Sequence, residues 1–238
     1  MVGTALAWHD YQFHFFTAIV TFLAAICIQI GTNFSNDLSD FLKGTDSQDR
    51  IGPVRTAQSG LLTISQLKKG TAFVFIVAIL FGCYLAYIGG LPIVIIGLSS
   101  IAAGILYTAG PFPLGYYGLG DIFVFLFFGI IAVPGTYYLQ TGYITSESFI
   151  CGTAMGCLAT AILVVNNLRD ADTDVKTSKK TLAVIFGKLF SKLEYSLLIS
   201  LPFVVSIYLY FRLSELSLWL PIFLLPMGGY LISVIYKK

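Results

Sequence analysis

Charge is what this chain has least of. Only 11% of its 238 residues are Asp, Glu, Lys or Arg, against about a quarter in a soluble domain. With 57% hydrophobic residues and a mean hydropathy of +0.85, there is too little polar surface to clothe a soluble fold, and disordered and fibrous readings fall with it. A net charge of +2 gives no footing for a nucleic-acid partner. Cys27, Cys83, Cys151 and Cys157 lie in apolar stretches without metal-ligand spacing, so neither a zinc site nor a disulfide framework is expected. The first residues carry no basic region and do not read as a signal peptide.

What is present is length of apolar run. A bilayer core about 30 Å thick needs about 20 apolar residues per helix. Seven stretches qualify, roughly 13–32, 71–89, 91–109, 120–139, 148–167, 194–211 and 216–236. They must be helices, because lipid offers no partner to open backbone groups. The expected fold is therefore all-α, a polytopic transmembrane bundle. It forms a single domain over 1–238, with pseudo-repeat halves at about 1–110 and 111–238. Met1 to Trp8 reads as the last turns of a further, partial helix. Pro134, Pro202, Pro221 and Pro226 fall inside spans, where neighbouring helices tolerate kinks.

If the C-terminal end of span 13–32 faces the cytoplasm and the spans alternate, 13 of the 14 Lys and Arg residues fall inside and only Arg212 outside. The positive-inside rule fixes that orientation.

No Asp, Glu, Lys or Arg sits deep in a span. Seven of the nine aspartates gather in two inner segments. The first runs Asn33-Phe-Ser-Asn36-Asp37-Leu-Ser-Asp40 and on through Lys43, Asp46, Asp49, Arg50 and Arg55. The second runs Asn166-Asn167-Leu-Arg169-Asp170-Ala-Asp172-Thr-Asp174 and on to Lys176, Lys179 and Lys180. Each begins where an apolar helix reaches the cytoplasm. Each repeats Asn or Asp at intervals of four (Asn36/Asp40; Asn166/Asp170/Asp174), which puts the oxygens on one helix face. Crowded like charges are unfavourable, and a hard cation removes that penalty. An oxygen-only donor set without His or Cys suits Mg²⁺, which takes one or two carboxylates plus substrate phosphates. The neighbouring Lys and Arg suit phosphate oxygens. A solvated acidic loop would explain one such segment; two matching segments favour a site.

These residues carry a resemblance to the UbiA superfamily of intramembrane aromatic prenyltransferases. It rests on 29–61 (QIGTNFSNDLSDFLKGTDSQDRIGPVRTAQSGL), 107–129 (YTAGPFPLGYYGLGDIFVFLFFG), 133–142 (VPGTYYLQTG) and 166–188 (NNLRDADTDVKTSKKTLAVIFGK). Within the superfamily the pattern is nearest to members that prenylate 1,4-dihydroxy-2-naphthoate on the way to menaquinone. The resemblance implies a nine-helix bundle holding Mg²⁺ and a polyprenyl diphosphate beneath a cytoplasmic cap, in a bacterial inner membrane. It implies Asn36, Asp37, Asp40, Asn166, Asp170 and Asp174 as metal ligands, with Asp40, Asp170 and Asp174 catalytic. Lys43, Asp46, Asp49, Arg50, Arg55, Arg169, Lys179 and Lys180 would face the substrates. Tyr138 would line the aromatic pocket, with an interfacial belt tyrosine as its alternative. Against the family pattern, Ser178, Lys180 and Ile185 stand where Gly, Arg and Arg are expected, and the chain looks truncated at both ends relative to nine helices. A transporter, or a prenyltransferase with another acceptor such as 4-hydroxybenzoate, stays open at this point. The acids' place at the inner boundary, not mid-membrane, argues against the transporter. The Gly152–Gly156 pair reads as a close helix approach.

Overall fold

The computed structural model describes residues 1–44 and 56–237. Its elements are α1 (Val2–His9), α2 (Phe15–Leu42), α3 (Ile64–Leu106), α4 (Gly120–Phe125), α5 (Ala132–Thr141), α6 (Ser146–Lys176), α7 (Leu182–Leu213) and α8 (Leu225–Lys237), joined by short 3₁₀ and π segments. Among the described residues, six helical stretches are long and apolar enough to cross a membrane. The seventh expected span is there too, because α3 is two spans. Gly90 takes φ 64°, ψ −156° inside it, a conformation open to glycine, and Pro92 follows. The chain folds back without a loop, so Gly70 lies against Phe34 and Gly104 against Thr32, both on α2. This is a multi-pass integral membrane protein. Large apolar side chains such as Phe22, Leu80 and Phe211 are exposed around it, as a lipid-facing surface requires.

Local chemistry explains the breaks. Thr63 starts α3 with a capping box, its hydroxyl accepting the Gln66 N–H while the Gln66 side chain accepts the Thr63 N–H. The span expected over 120–139 is α4 and α5 separated by a π turn at Leu126–Ile131, which sits where Pro134 withdraws an amide from the ladder. The stretch expected as one helix over 216–236 is instead a 3₁₀ segment, Leu216–Leu224, carrying Pro221, and then α8. The two helical registers have the same physical cause.

Two small cores fill the bundle. One joins α2, α3 and α5 through Val20, Ala24, Leu85, Ile93 and Leu139. The other joins α6, α7 and α8 through Ala161, Val164, Tyr195 and Ile235. Between α6 and the π turn, Gly129, Gly152 and Gly156 bring backbones together. A Cβ on Gly129 would stand 2.6 Å from the Gly156 Cα. The Gly152–Gly156 pair therefore serves an approach within the chain.

Candidate active site

Both acid motifs lie on helix extensions beyond the apolar stretches, at the same end of the bundle. They stand at one offset: Asn36, Asp37 and Asp40 on α2 match Asn166, Asn167 and Asp170 on α6, 130 positions later. Asp37, Asp40, Asn167 and Asp174 are buried, Asp170 is half-buried and Asn166 is exposed. Asn167, at the same place in its motif as Asp37, was not among the expected site residues; the repeat offset is the signal that could have found it.

The two motif helices meet through the connection between α3 and α4, residues 107–119. Tyr116 in that connection donates its hydroxyl to Asp40 Oδ1 at 2.8 Å. Its ring centroid lies 4.6 Å from Lys43 Nζ and 5.8 Å from Lys179 Nζ. Its carbonyl accepts the Lys180 N–H at 3.0 Å. Beside it, Thr108 donates to Asn36 Oδ1 at 2.8 Å, and the Thr108 carbonyl accepts Lys43 Nζ at 2.5 Å. Tyr107 is ringed by Gly115 and Gly120, whose missing side chains leave room for it, and its phenol lies in the field of Asp121, Asp40 and Asp174. None of Tyr107, Thr108 or Tyr116 was legible as a site residue. A Gly-rich, apolar connection gives no periodic signal.

The second motif is shaped by the end of α6. Thr177 caps the helix and Ser178 follows at φ 58°. The Lys179 N–H returns to the Asp174 carbonyl at 3.0 Å and the Ser178 N–H to the Val175 carbonyl at 3.3 Å. This is a Schellman ending, and it turns Lys179 back until its Nζ is 3.7 Å from Asp174 Oδ1. Burial pushes the Asp174 carboxyl above the usual carboxylate range; Lys179 pulls it down, and Asp170 and Asp40 push it up. That Asp40 acts on Asp174 places the two motifs within electrostatic reach of each other. Arg169 grips Asp170 with two bonds of 2.7 Å, a bidentate pair.

The remaining expected residues fall as follows. Asp37 gives one oxygen, Oδ2, to the N–H groups of Thr56 (3.0 Å) and Ala57 (3.3 Å) and to the Thr56 hydroxyl; it anchors the chain after the first motif. Lys180 is exposed. Asp46, Asp49, Arg50 and Arg55 lie outside the described residues. Tyr138 lies at the opposite end of the bundle. Its hydroxyl donates to the Gly89 carbonyl at 3.2 Å, and it shares a cavity of about 280 Å³ with His14 and Gln140. The structure brings it to neither motif, because α5 rises away from them through the membrane.

The donors at the motif end are oxygens. Asp37 Oδ1 and Asp174 Oδ2 are buried and have no hydrogen-bond partner among the described residues. Also among those residues, no three His, Cys, Asp or Glu side chains meet closely enough to hold a metal alone. A few carboxylates and amides with buried, unsatisfied oxygens fit an ion that fills its shell with waters and phosphates, as Mg²⁺ does. They do not fit zinc.

An apolar cavity of about 290 Å³ opens below, between α2, α3, α5 and the π turn, lined among others by Ala24, Ile28, Ala78, Ile101, Phe127 and Leu139.

The family model of UbiA prenyltransferases matches residues 1–238. The chain belongs to this family. It is 38% identical over 231 residues to the 1,4-dihydroxy-2-naphthoate octaprenyltransferase of Escherichia coli, an alignment covering 94% of this chain and 75% of that protein. It is 37% identical to the enzyme of the same name from Haemophilus influenzae, covering 91% of this chain and 72% of that one. Among solved structures, a UbiA homolog from Archaeoglobus fulgidus bound to DMAPP and Mg²⁺ superposes with a TM-score of 0.64 over 94% of this chain and 74% of its own, at 14% identity. That likeness establishes the UbiA-like fold of this chain.

Proposed function

We propose that this chain transfers a polyprenyl group from a polyprenyl diphosphate to 1,4-dihydroxy-2-naphthoate, releasing diphosphate and CO₂ and giving demethylmenaquinol for menaquinone biosynthesis. The observation that carries the reading is the meeting of the two oxygen-rich motifs around Tyr116 at one end of the bundle. It is supported by the likeness to two naphthoate prenyltransferases over nine-tenths of the chain.

Asn36, Asp40, Asp170 and Asp174 are the residues we assign to Mg²⁺, with Asn166 and Asp37 beside them. When bound, the ion supplies Lewis-acid neutralisation of the charge on departing diphosphate. Lys43, Lys179 and Arg169 bring positive charge to the same place, so the leaving group's oxygens meet fixed donors. The allylic C–O bond breaks, its electron pair leaving with diphosphate. The apolar walls of Ile28, Ile101 and Phe127 exclude the water that would quench an allylic cation. The naphthoate ring then forms the new C–C bond, and the electron pair of the C–CO₂⁻ bond returns to the ring as CO₂ departs. A cavity of about 290 Å³ is at the bottom of the range for ligand pockets, about 300–1,000 Å³, so a long isoprenoid tail continues into lipid. The distribution of Lys and Arg supports a cytoplasmic site, and the likeness to naphthoate prenyltransferases of two bacteria supports a bacterial inner membrane.

The test is incubation of membranes carrying the chain with 1,4-dihydroxy-2-naphthoate, prenyl diphosphates of increasing length and Mg²⁺, with product mass measured. Demethylmenaquinol of matching tail length is expected. Product only with 4-hydroxybenzoate as acceptor would replace the substrate; no prenylated product with any acceptor would end the reading.

A further inference from the structure

Resting on that reading, we infer that Tyr116 is the positioning residue that sets the first motif against the second and arranges them for Mg²⁺-diphosphate. The contacts made by this one side chain and its backbone reach both motifs. The hydroxyl bonds Asp40 Oδ1 at 2.8 Å. The ring takes Lys43 from the first motif at 4.6 Å and Lys179 from the second at 5.8 Å. The carbonyl holds the Lys180 N–H at 3.0 Å.

The physics of each contact points to diphosphate. A carboxylate free to rotate presents its oxygens in many directions; an oxygen held by a phenol fixes the orientation of the whole group. Lys43 and Lys179, one following each motif, both lie within about 6 Å of this ring, whose face attracts ammonium groups. Tyr116 therefore holds two cations near each other before an anion arrives, which lowers the cost of organising the site on binding. The neighbouring contacts tie the same unit together. Lys43 also donates to the Thr108 carbonyl, and Thr108 in turn donates to Asn36. A Cβ on Gly118 would stand 3.2 Å from the Lys180 carbonyl oxygen, so the 107–119 connection sits directly on the segment that follows the second motif. The α2 and α6 motifs need this cross-piece because the two small cores pack α2 against α3 and α5, and α6 against α7 and α8.

Two substitutions separate the parts. Tyr116→Phe keeps the ring and removes the hydroxyl. Tyr116→Leu removes both. The readout is calorimetric binding of inorganic pyrophosphate with Mg²⁺ to the purified full chain in detergent, beside kcat and KM with dimethylallyl diphosphate and 1,4-dihydroxy-2-naphthoate. A lost hydrogen bond to a charged group predicts that Tyr116→Phe needs about 10-fold more Mg²⁺ for half-maximal pyrophosphate binding. Tyr116→Leu is expected to weaken pyrophosphate itself by a further ~3-fold or more, through the two lysines, with KM for the diphosphate rising alongside. Tyr117→Phe, one residue on and half-exposed, is expected to bind as wild type does. Pyrophosphate binding by folded Tyr116→Phe within twofold of wild type at every Mg²⁺ concentration overturns the inference. Should Tyr116→Leu not fold, Tyr116→Phe, with its ring volume intact, decides alone. Tyr116-dependent binding by a chain that prenylates no acceptor would sink the proposed function and leave this inference standing; a wild-type chain that does not bind Mg²⁺-pyrophosphate would sink this one.

Discussion

Asp37 on α2 holds Thr56 across nineteen positions of sequence, through its backbone N–H at 3.0 Å and its hydroxyl. The same carboxylate oxygen accepts the Ala57 N–H, so one atom closes the chain that follows the first motif. Three residues on, Asp40 has no such duty toward Thr56 and faces Tyr116 instead. The two aspartates therefore separate by phenotype. Asp37→Ala strands two backbone donors and is expected to cost about 1–3 kcal/mol of stability, read as a lower thermal midpoint in detergent. Asp40→Asn keeps the shape and removes the charge; turnover is expected to fall at least ~100-fold while membrane insertion is unchanged. Near-normal prenyl transfer by Asp40→Asn would remove it from the metal site.

Ser178 occupies a glycine's place. It stands at φ 58° in the Schellman ending of α6, where a Cβ costs roughly 1–2 kcal/mol and glycine is the usual occupant. Glycine also gives the unfolded chain about 0.4–1 kcal/mol more freedom, so the strain relief is only partly offset. Ser178→Gly is expected to raise stability by about 0.5–1 kcal/mol and to leave Lys179 at Asp174. A lower thermal midpoint would mean that the serine hydroxyl makes a contribution larger than the strain.

The spans and the two acid motifs were legible because lipid imposes a hydropathy pattern and because oxygen ligands at helical spacing stand out against an apolar background. The break at Gly90 was legible too, as the boundary between two runs. What was not legible came from parts without period. The π turn of Leu126–Ile131 answers a proline three residues beyond it and reads in sequence as ordinary apolar helix. Tyr116, Thr108 and Tyr107 lie in a connection rich in glycine and proline, and their role depends on which helices that connection spans. Tyr138 was named from its motif, and its distance from the acids follows from the rise of α5, which a motif does not encode. Spacing by four selects Asn166 of two adjacent amides, whereas burial, which the spacing does not encode, distinguishes Asn167.

At the other end of the bundle, His9 ties α1 to the segment before the 3₁₀ turn. Its Nδ1 is 2.9 Å from Asp10 and its Nε2 3.4 Å from Glu215. The bond to Asp10, with help from Glu215, raises the imidazole above its ordinary value of 6.5, against a smaller opposing effect of burial. The sign follows: a raised folded-state value means the contact stabilises fully below pH 6.5 and is lost as pH climbs through the higher folded value. The thermal midpoint of wild type is expected to drop relative to His9→Gln as pH rises above 6.5, while His9→Gln should show no such drop. Parallel curves for the two proteins would show that the contact contributes nothing.

Gly129 sets how near α6 can come to the π turn. A Cβ there would stand 2.6 Å from the Gly156 Cα and 2.8 Å from the Gly156 nitrogen. Both neighbours are backbone, which cannot swing aside as a side chain could. Gly129→Ala must push α6 away or deform the π turn, and overpacking of this kind costs about 1–3 kcal/mol. Gly82, on α3 where it borders the apolar cavity, has open space around its Cβ position, so Gly82→Ala adds a methyl against no packed atom and serves as the control for any general effect of a new side chain away from the motifs. Denaturation of both variants in mixed micelles is expected to place Gly129→Ala below wild type and Gly82→Ala at or above it. Because α6 runs on from Gly156 to Asn166, Asn167 and Asp170, the same displacement should also weaken Mg²⁺-pyrophosphate binding in Gly129→Ala but not in Gly82→Ala. Equal behaviour of the two would mean that the glycine contact is loose enough to yield, and that the position of the second motif is set elsewhere along α6.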